Sequence, residues 1–442
     1  MKRLSEHVYR TIRRIEGPLL FVDDVAQVRM GEAVNIVHPD GSVLEGEVLD
    51  ISRNTALIEV FETTHGLDIE HSRVLFSGSV KKAPLSPLLV GRIFDGAFKP
   101  IDGKPMFVPR EWASIEGSPI NPVARAKASE FIETGLSVID GLNTLVKGQK
   151  LPVFTLSGLP SGEVVASLLR HARLHQESGR FLVVFAGLGL TFREHLFFQD
   201  VLKEMKTDFV AFINLASDAV MERLLAPRFA ITVAEYFAFG NNRDVLVVLA
   251  DMINYCDALR EISTARNELP GRRGYPGYMY SDLASLYERA GRIRDQEGSV
   301  TLFPVVTMPE DDITHPIPDL TGYITEGQIV LSRELHQKGI FPPVDVLPSL
   351  SRLMQSGIGE GRTRSDHGAI TKRLYSLYAR GRNLRRLETI MGREGMTEEE
   401  VTTLDFTDAF EMAFVHQGDK RRTVTDTLDL AIELLEKHAL WK

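Results

Sequence analysis

The chain reads as an α/β protein in three parts: a small N-terminal β-barrel over residues 1–75, a central domain with a mostly parallel sheet over 76–350, and a helical C-terminal domain over 351–442. Three observations predict this. Short strands separated by turn signals crowd the first segment without any helical period. Continuous apolar runs then alternate with stretches of helical length, the pattern of parallel strands buried on both faces. Beyond residue 351 the chain becomes charged, with apolar residues at helical spacing.

In the first segment the strands are Leu19–Val22, Ala33–Val37, Val43–Leu49 and Thr55–Val60, and Asp40-Gly41 supplies a hairpin turn. Lys82-Ala83-Pro84-Leu85-Ser86-Pro87-Leu88 is punctuated by proline and reads as a linker. In the central segment Pro152–Leu156, Phe181–Phe185, Phe209–Ile213, Val245–Leu249 and Val300–Phe303 are the strands. In the last segment Ile370–Leu387 and Val424–Leu440 are helical, with a break over Gly392–Thr397.

Composition excludes several functions. A chain of 442 residues exceeds one ordinary core. Its net charge of −9 argues against wholesale binding to nucleic acid phosphates. The single cysteine, Cys256, has no intrachain partner and fits a reducing compartment. No apolar run is long enough to span a membrane, and Met1–Glu6 lead into polar sequence rather than a signal peptide. His171 and His175 stand four apart but have no third ligand nearby and lie among basic residues, as on a solvated helix face.

The most informative motif is Ser157-Gly158-Leu159-Pro160-Ser161-Gly162-Glu163-Val164, between a strand and a helix. Set in the register of a phosphate-binding loop, G-x-x-x-x-G-K-[ST], Ser157 replaces the first glycine and Gly162 keeps the second. Glu163 replaces the lysine that would neutralise the β- and γ-phosphates, and Val164 replaces the hydroxyl that would hold Mg²⁺. Either change alone disables hydrolysis. A glycine-rich strand-to-helix turn also occurs as a plain connection, and these residues by themselves leave both readings open.

Three further positions carry chemistry. The turn Phe185–Glu194 follows a buried strand and opens a helix. Asp251 ends the run Val245–Ala250, where an acid either holds a Mg²⁺ shell or caps a helix. Arg352 sits at the junction of the central and helical segments, where an arginine is ordinarily solvated or ion-paired and more rarely reaches a neighbouring subunit's γ-phosphate.

Several long runs carry a resemblance. Gly271-Arg272-Arg273-Gly274-Tyr275-Pro276-Gly277-Tyr278-Met279-Tyr280, Tyr287-Glu288-Arg289-Ala290-Gly291-Arg292, the run from Met308 to Gln328 and Leu347-Pro348-Ser349-Leu350-Ser351-Arg352-Leu353-Met354 are similar to the B subunit of archaeal and bacterial V/A-type rotary ATPases. The similarity extends over nearly the whole chain. Ser157–Pro160 and Glu163 also resemble that subunit, which lacks a working phosphate loop; Gly162 departs from its usual asparagine, and residues 180–215 diverge most.

The resemblance implies a RecA-like central domain with a degenerate loop (Ser157–Val164) and a relic Asp251, and it implies that Arg352 is an arginine finger supplied in trans. It places Leu190 where catalytic relatives carry a glutamate that orients water, and it makes His315 part of a family run rather than a base. It further implies a regulatory subunit without turnover of its own, with no tightly held cofactor and Mg·ATP or ADP at the interface with a catalytic A subunit. The A subunit in a three-plus-three ring, central rotor stalk and peripheral stalk subunits are the implied partners. The implied setting is the cytoplasmic head of a peripheral membrane complex, coupled to H⁺ or Na⁺ transport. The rival readings, a catalytic secretion- or flagellar-type ATPase and a Rho-like ring helicase, both need the missing lysine and hydroxyl.

Overall fold

A computed structural model describes residues 7–62, 64–174 and 180–441. Met1–Glu6 and His175, which bear on the signal-peptide and metal-pair readings, lie outside the described residues.

The N-terminal β-barrel domain is a seven-stranded antiparallel sheet spanning His7 to Val80. Val34, Ile36, Val48, Ile58, Val74 and Phe76 alternate inward to form its core. The Asp40-Gly41 turn joins Glu32–Val37 to Val43–Ser52, with Gly41 at φ 88° and the Asp40 carboxylate accepting from Ser42 N at 2.8 Å.

The linker expectation is corrected. Lys82–Leu85 is a strand paired with Glu111–Ser114, and Ala83 and Leu85 are buried. Pro84 is tolerated because a two-stranded ribbon leaves one edge of each strand unpaired.

The central sheet runs in the spatial order Val344–Ser351, Gly327–Leu331, Val153–Leu156, Ser299–Met308, Asp244–Ala250, Phe181–Leu190, Asp208–Leu215, Arg92–Asp95. All neighbours in this row are parallel except the first pair. Each expected strand is present. Arg92–Asp95, Gly327–Leu331 and Val344–Ser351 add three that are too short or too polar to announce themselves.

The two faces of the sheet feed two cores. Val183, Phe185, Leu246 and Val248 face the side that also receives Ile370, Leu374, Phe406 and Phe410 of the C-terminal helices. Leu182, Val184, Val245 and Val247 face the helices Val220–Glu235 and Met252–Ala265. The C-terminal domain is therefore built onto one face of the central domain. Its long helix, His367–Met391, stops at Gly392, whose φ of 70° no helix continues. The next two, Glu398–Ala409 and Val424–Lys437, open on capping boxes at Thr397/Glu400 and Thr423/Asp426.

One ion pair ties the barrel to the helix that follows the Asp244–Ala250 strand. Glu59, fully buried in the barrel, accepts from Arg266 Nη2 at 2.7 Å, and Glu47 lies opposite it on the neighbouring strand. Burial pushes the Glu59 carboxyl up to about 7 against the pull of Arg266. A raised carboxylate binds its proton more tightly in the folded state. Its contribution to stability is therefore complete below the unfolded value of 4.5 and is lost as pH rises through about 7. Between pH 4.5 and 8 the wild-type chain is expected to lose about 3 kcal/mol relative to Glu59→Gln. Thermal unfolding of both proteins across that range checks this; parallel pH profiles would overturn it.

Candidate functional site

The strand Val153–Leu156 delivers the loop Ser157–Pro160 into the helix Ser161–His171. Gly158 turns the chain with φ 80°, a conformation that only glycine adopts freely. The loop then closes on itself: Leu159 N donates to Leu156 O at 3.2 Å, Ser161 N to Leu159 O at 2.8 Å, and Val164 N to Pro160 O at 3.1 Å. The amides of Leu159, Ser161 and Val164 are thus engaged by carbonyls of the loop and of the strand before it. From outside, Arg333 donates to Ser157 O at 3.1 Å while pairing with Asp311 at 2.8 Å.

Glu163 is exposed in the first turn of this helix, where its negative charge complements the partial positive charge of the helix N-terminus. The feature that draws an anion to such a loop is answered by the chain itself. Val164 is 1 % exposed and packs into the core beneath the helix. Its branched side chain offers neither lone pair nor access to a metal.

Asp251 stands on the same edge of the sheet, separated from the loop by the strand Ser299–Met308. Register places Thr307 of that strand opposite Thr155. Both Asp251 oxygens accept from Thr307 N, at 3.1 and 3.0 Å, and the Thr307 hydroxyl donates to Oδ2. Oδ1 also caps the helix Met252–Ala265 through Ile253 N at 3.0 Å. Burial raises the Asp251 carboxyl to about 6. The group is spent on structure.

Leu190 ends its strand buried in the core, and the acid nearest in sequence, Glu194, is committed to a capping box with Thr191. His315 is buried and accepts from Ile317 N as the cap of the helix Pro316–Ile324. Among the described residues no cluster of His, Cys, Asp or Glu suited to a metal is present.

Arg352 occupies a different place. Its strand, Val344–Ser351, runs antiparallel to Gly327–Leu331, which is parallel to the loop strand. Ser351 pairs with Gly327, two residues before the point where Ile329 pairs with Val153. Arg352 thus emerges at the amino-terminal end of the strands and its own loop at the carboxyl-terminal end, about 20 Å apart at ~3.3 Å per residue. The side chain is exposed; Arg352 N donates to Glu326 O at 3.0 Å and Nη1 to Thr325 O at 3.4 Å. Among the described residues no carboxylate pairs with its guanidinium.

The structure thus brings the loop and Asp251 to one end of the sheet and leaves Arg352 at the other. Arg333 and Thr307, which bond Ser157 and Asp251, went unread in the sequence. They stand more than 140 residues from the loop, and no local pattern connects them to it.

Comparison with known proteins follows these three parts. Residues 12–78 match the beta-barrel domain of the ATP synthase alpha/beta family, and residues 135–351 match its nucleotide-binding domain. Residues 356–441 match the C-terminal domain of V and A type ATP synthase. The V-type ATP synthase beta chain of Geotalea uraniireducens (strain Rf4) is 65% identical over 438 residues, covering 99% of either chain. The solved structure of the ATP synthase subunit NeqB from Nanoarcheaum equitans is 36% identical with a TM-score of 0.75, covering 95% of this chain and 99% of that one. With a barrel, a nucleotide-binding domain and a V/A-type C-terminal domain in one continuous match, the chain belongs to the ATP synthase alpha/beta family, among the B subunits (beta chains) of the V/A-type enzymes.

Proposed function

We propose that this chain is the non-catalytic, regulatory subunit of a V/A-type rotary ATPase, alternating with catalytic A subunits in a hexameric ring and supplying Arg352 to the A subunit's ATP site. The observation that carries this reading is the separation of Arg352 from the chain's own loop, together with the absence of a carboxylate partner. A guanidinium placed there serves a neighbour rather than its own domain. It is planar, permanently charged and able to bond two phosphate oxygens at once, which suits the charge that develops on a transferring phosphoryl group.

The closed loop, Glu163 and Val164 support a silent nucleotide site in this chain, so Mg·ATP or ADP belongs to the interface with the A subunit. In this arrangement the barrel domains form a crown toward peripheral stalks and the helical domain faces the rotor, so that hydrolysis or synthesis couples to ion transport. No described helix is long and apolar enough to cross a membrane, and the proposal places the chain in the cytoplasmic head.

The purified chain is expected to hydrolyse no ATP above background, and turnover is expected only on co-purification with its A subunit. Steady-state ATPase assays of the chain alone, the A subunit alone and the gel-filtered complex decide this. Sustained turnover by the isolated chain, undiminished by removal of trace A subunit, would return it to the catalytic class.

A further inference from the structure

We propose that Gln149 is the positioning residue for Arg352, holding the finger strand in the register that aims the guanidinium; the inference rests on the trans role assigned to Arg352 above.

Gln149 is fully buried just before the loop strand. Its Oε1 accepts from Val146 N at 3.0 Å. Its Nε2 donates to Glu326 O at 3.1 Å and to Ser351 Oγ at 2.9 Å. These three partners fix the orientation of the amide, because only the oxygen can accept and only the nitrogen can donate twice. Glu326 O is the same carbonyl that accepts from Arg352 N, and Ser351 is the residue immediately before Arg352. One amide therefore grips both sides of the finger's attachment. Ser351 Oγ passes the contact on to Thr144 O at 2.9 Å, so the anchor extends into the buried segment ahead of the loop strand.

Two neighbours stiffen the same point. Lys150, also buried, donates from Nζ to Glu326 Oε1 at 2.8 Å and from its backbone to Oε2 at 2.8 Å. Gly327 has no room for a side chain: a Cβ there would lie 2.4 Å from Leu350 O. The finger strand is thus pressed against Glu326–Gly327, and Gln149 sets how it sits. The chemistry requires an amide. A carboxylate at 149 would lose both donors and bury a charge, and a thioether of the same shape would lose all three bonds. Gln149 does not touch substrate. It acts through Arg352, and a finger displaced by an ångström loses much of its value.

The test is a double-mutant cycle in the reconstituted A–B complex with Gln149→Met, Arg352→Ala and the pair combined, with ring assembly followed by native mass spectrometry. Gln149→Met is expected to lower kcat roughly 3- to 30-fold with KM changed less than about 2-fold, and to have no further effect once Arg352 is alanine. Ser351→Ala, which cuts the same amide contact from the other side, is expected to shift kcat in the same direction and carries the cycle if Gln149→Met does not fold. Unchanged kcat in both single variants, or losses that multiply with that of Arg352→Ala, would overturn the positioning role while leaving the finger intact. Near wild-type kcat in Arg352→Ala itself would overturn the finger and this inference with it.

Discussion

Arg352→Ala in the reconstituted ring is expected to lower kcat by at least about a hundredfold, toward the range seen when arginine fingers are removed, with little change in KM or in ring formation. A finger acts on charge that develops in the transition state, so its loss falls on the chemical step rather than on nucleotide binding. Assembly should survive because the side chain is exposed and, among the described residues, its guanidinium makes a single long bond, 3.4 Å, to a carbonyl. Arg352→Lys should rescue little, since a point charge on a flexible stem cannot reproduce the planar fork. Steady-state ATPase of gel-filtered complexes measures this. Near wild-type kcat in the alanine variant would leave Arg352 a domain-edge side chain.

Arg289→Ala is expected to destabilise the central domain by about 3–5 kcal/mol, the usual cost of removing one partner from a buried ion pair. Arg289 is 1 % exposed. It meets Glu235 through two bonds, at 2.8 and 2.6 Å, and also bonds Thr232 Oγ1 at 2.8 Å and Ile115 O at 2.7 Å. It joins the helix Val220–Glu235 to the segment around Gly117, where a side chain at 117 would collide with the guanidinium. Urea denaturation of the purified chain is the measurement. Adding Glu235→Gln should recover part of the loss by removing the orphaned carboxylate. A loss below about 1 kcal/mol for Arg289→Ala would mean that the network does not bear on stability.

The run Tyr287–Arg292 shows how sequence and structure divide the account. As sequence it marked the family without giving a reason. In the fold each charged residue of the run has an ion-pair partner: Glu288 meets Lys150 at 3.0 Å and Arg125 at 2.8 Å, Arg289 meets Glu235, and Arg292 meets Glu130 at 3.0 Å. The run holds the framework around the loop strand and the Glu326 anchor; it does not supply reacting groups.

The order of domains, the parallel character of the central sheet and the absence of a lysine at 163 and of a hydroxyl at 164 were legible in the sequence alone. Apolar runs and helical periods are local, and a missing lysine or hydroxyl is missing in any fold. The short strand Lys82–Leu85 was misread because two prolines within a few residues resemble a linker until its partner, Glu111–Ser114, is in place. Whether Asp251 was free or spent depended on Thr307, 56 residues away. That Arg352 stands at the end of the sheet opposite its own loop depended on the directions of three strands. Its link to Gln149 spans 202 residues by way of Ser351. Strand direction and pairing arise from crossovers that bring distant segments side by side, and the residues they join carry no sign of each other in the linear chain.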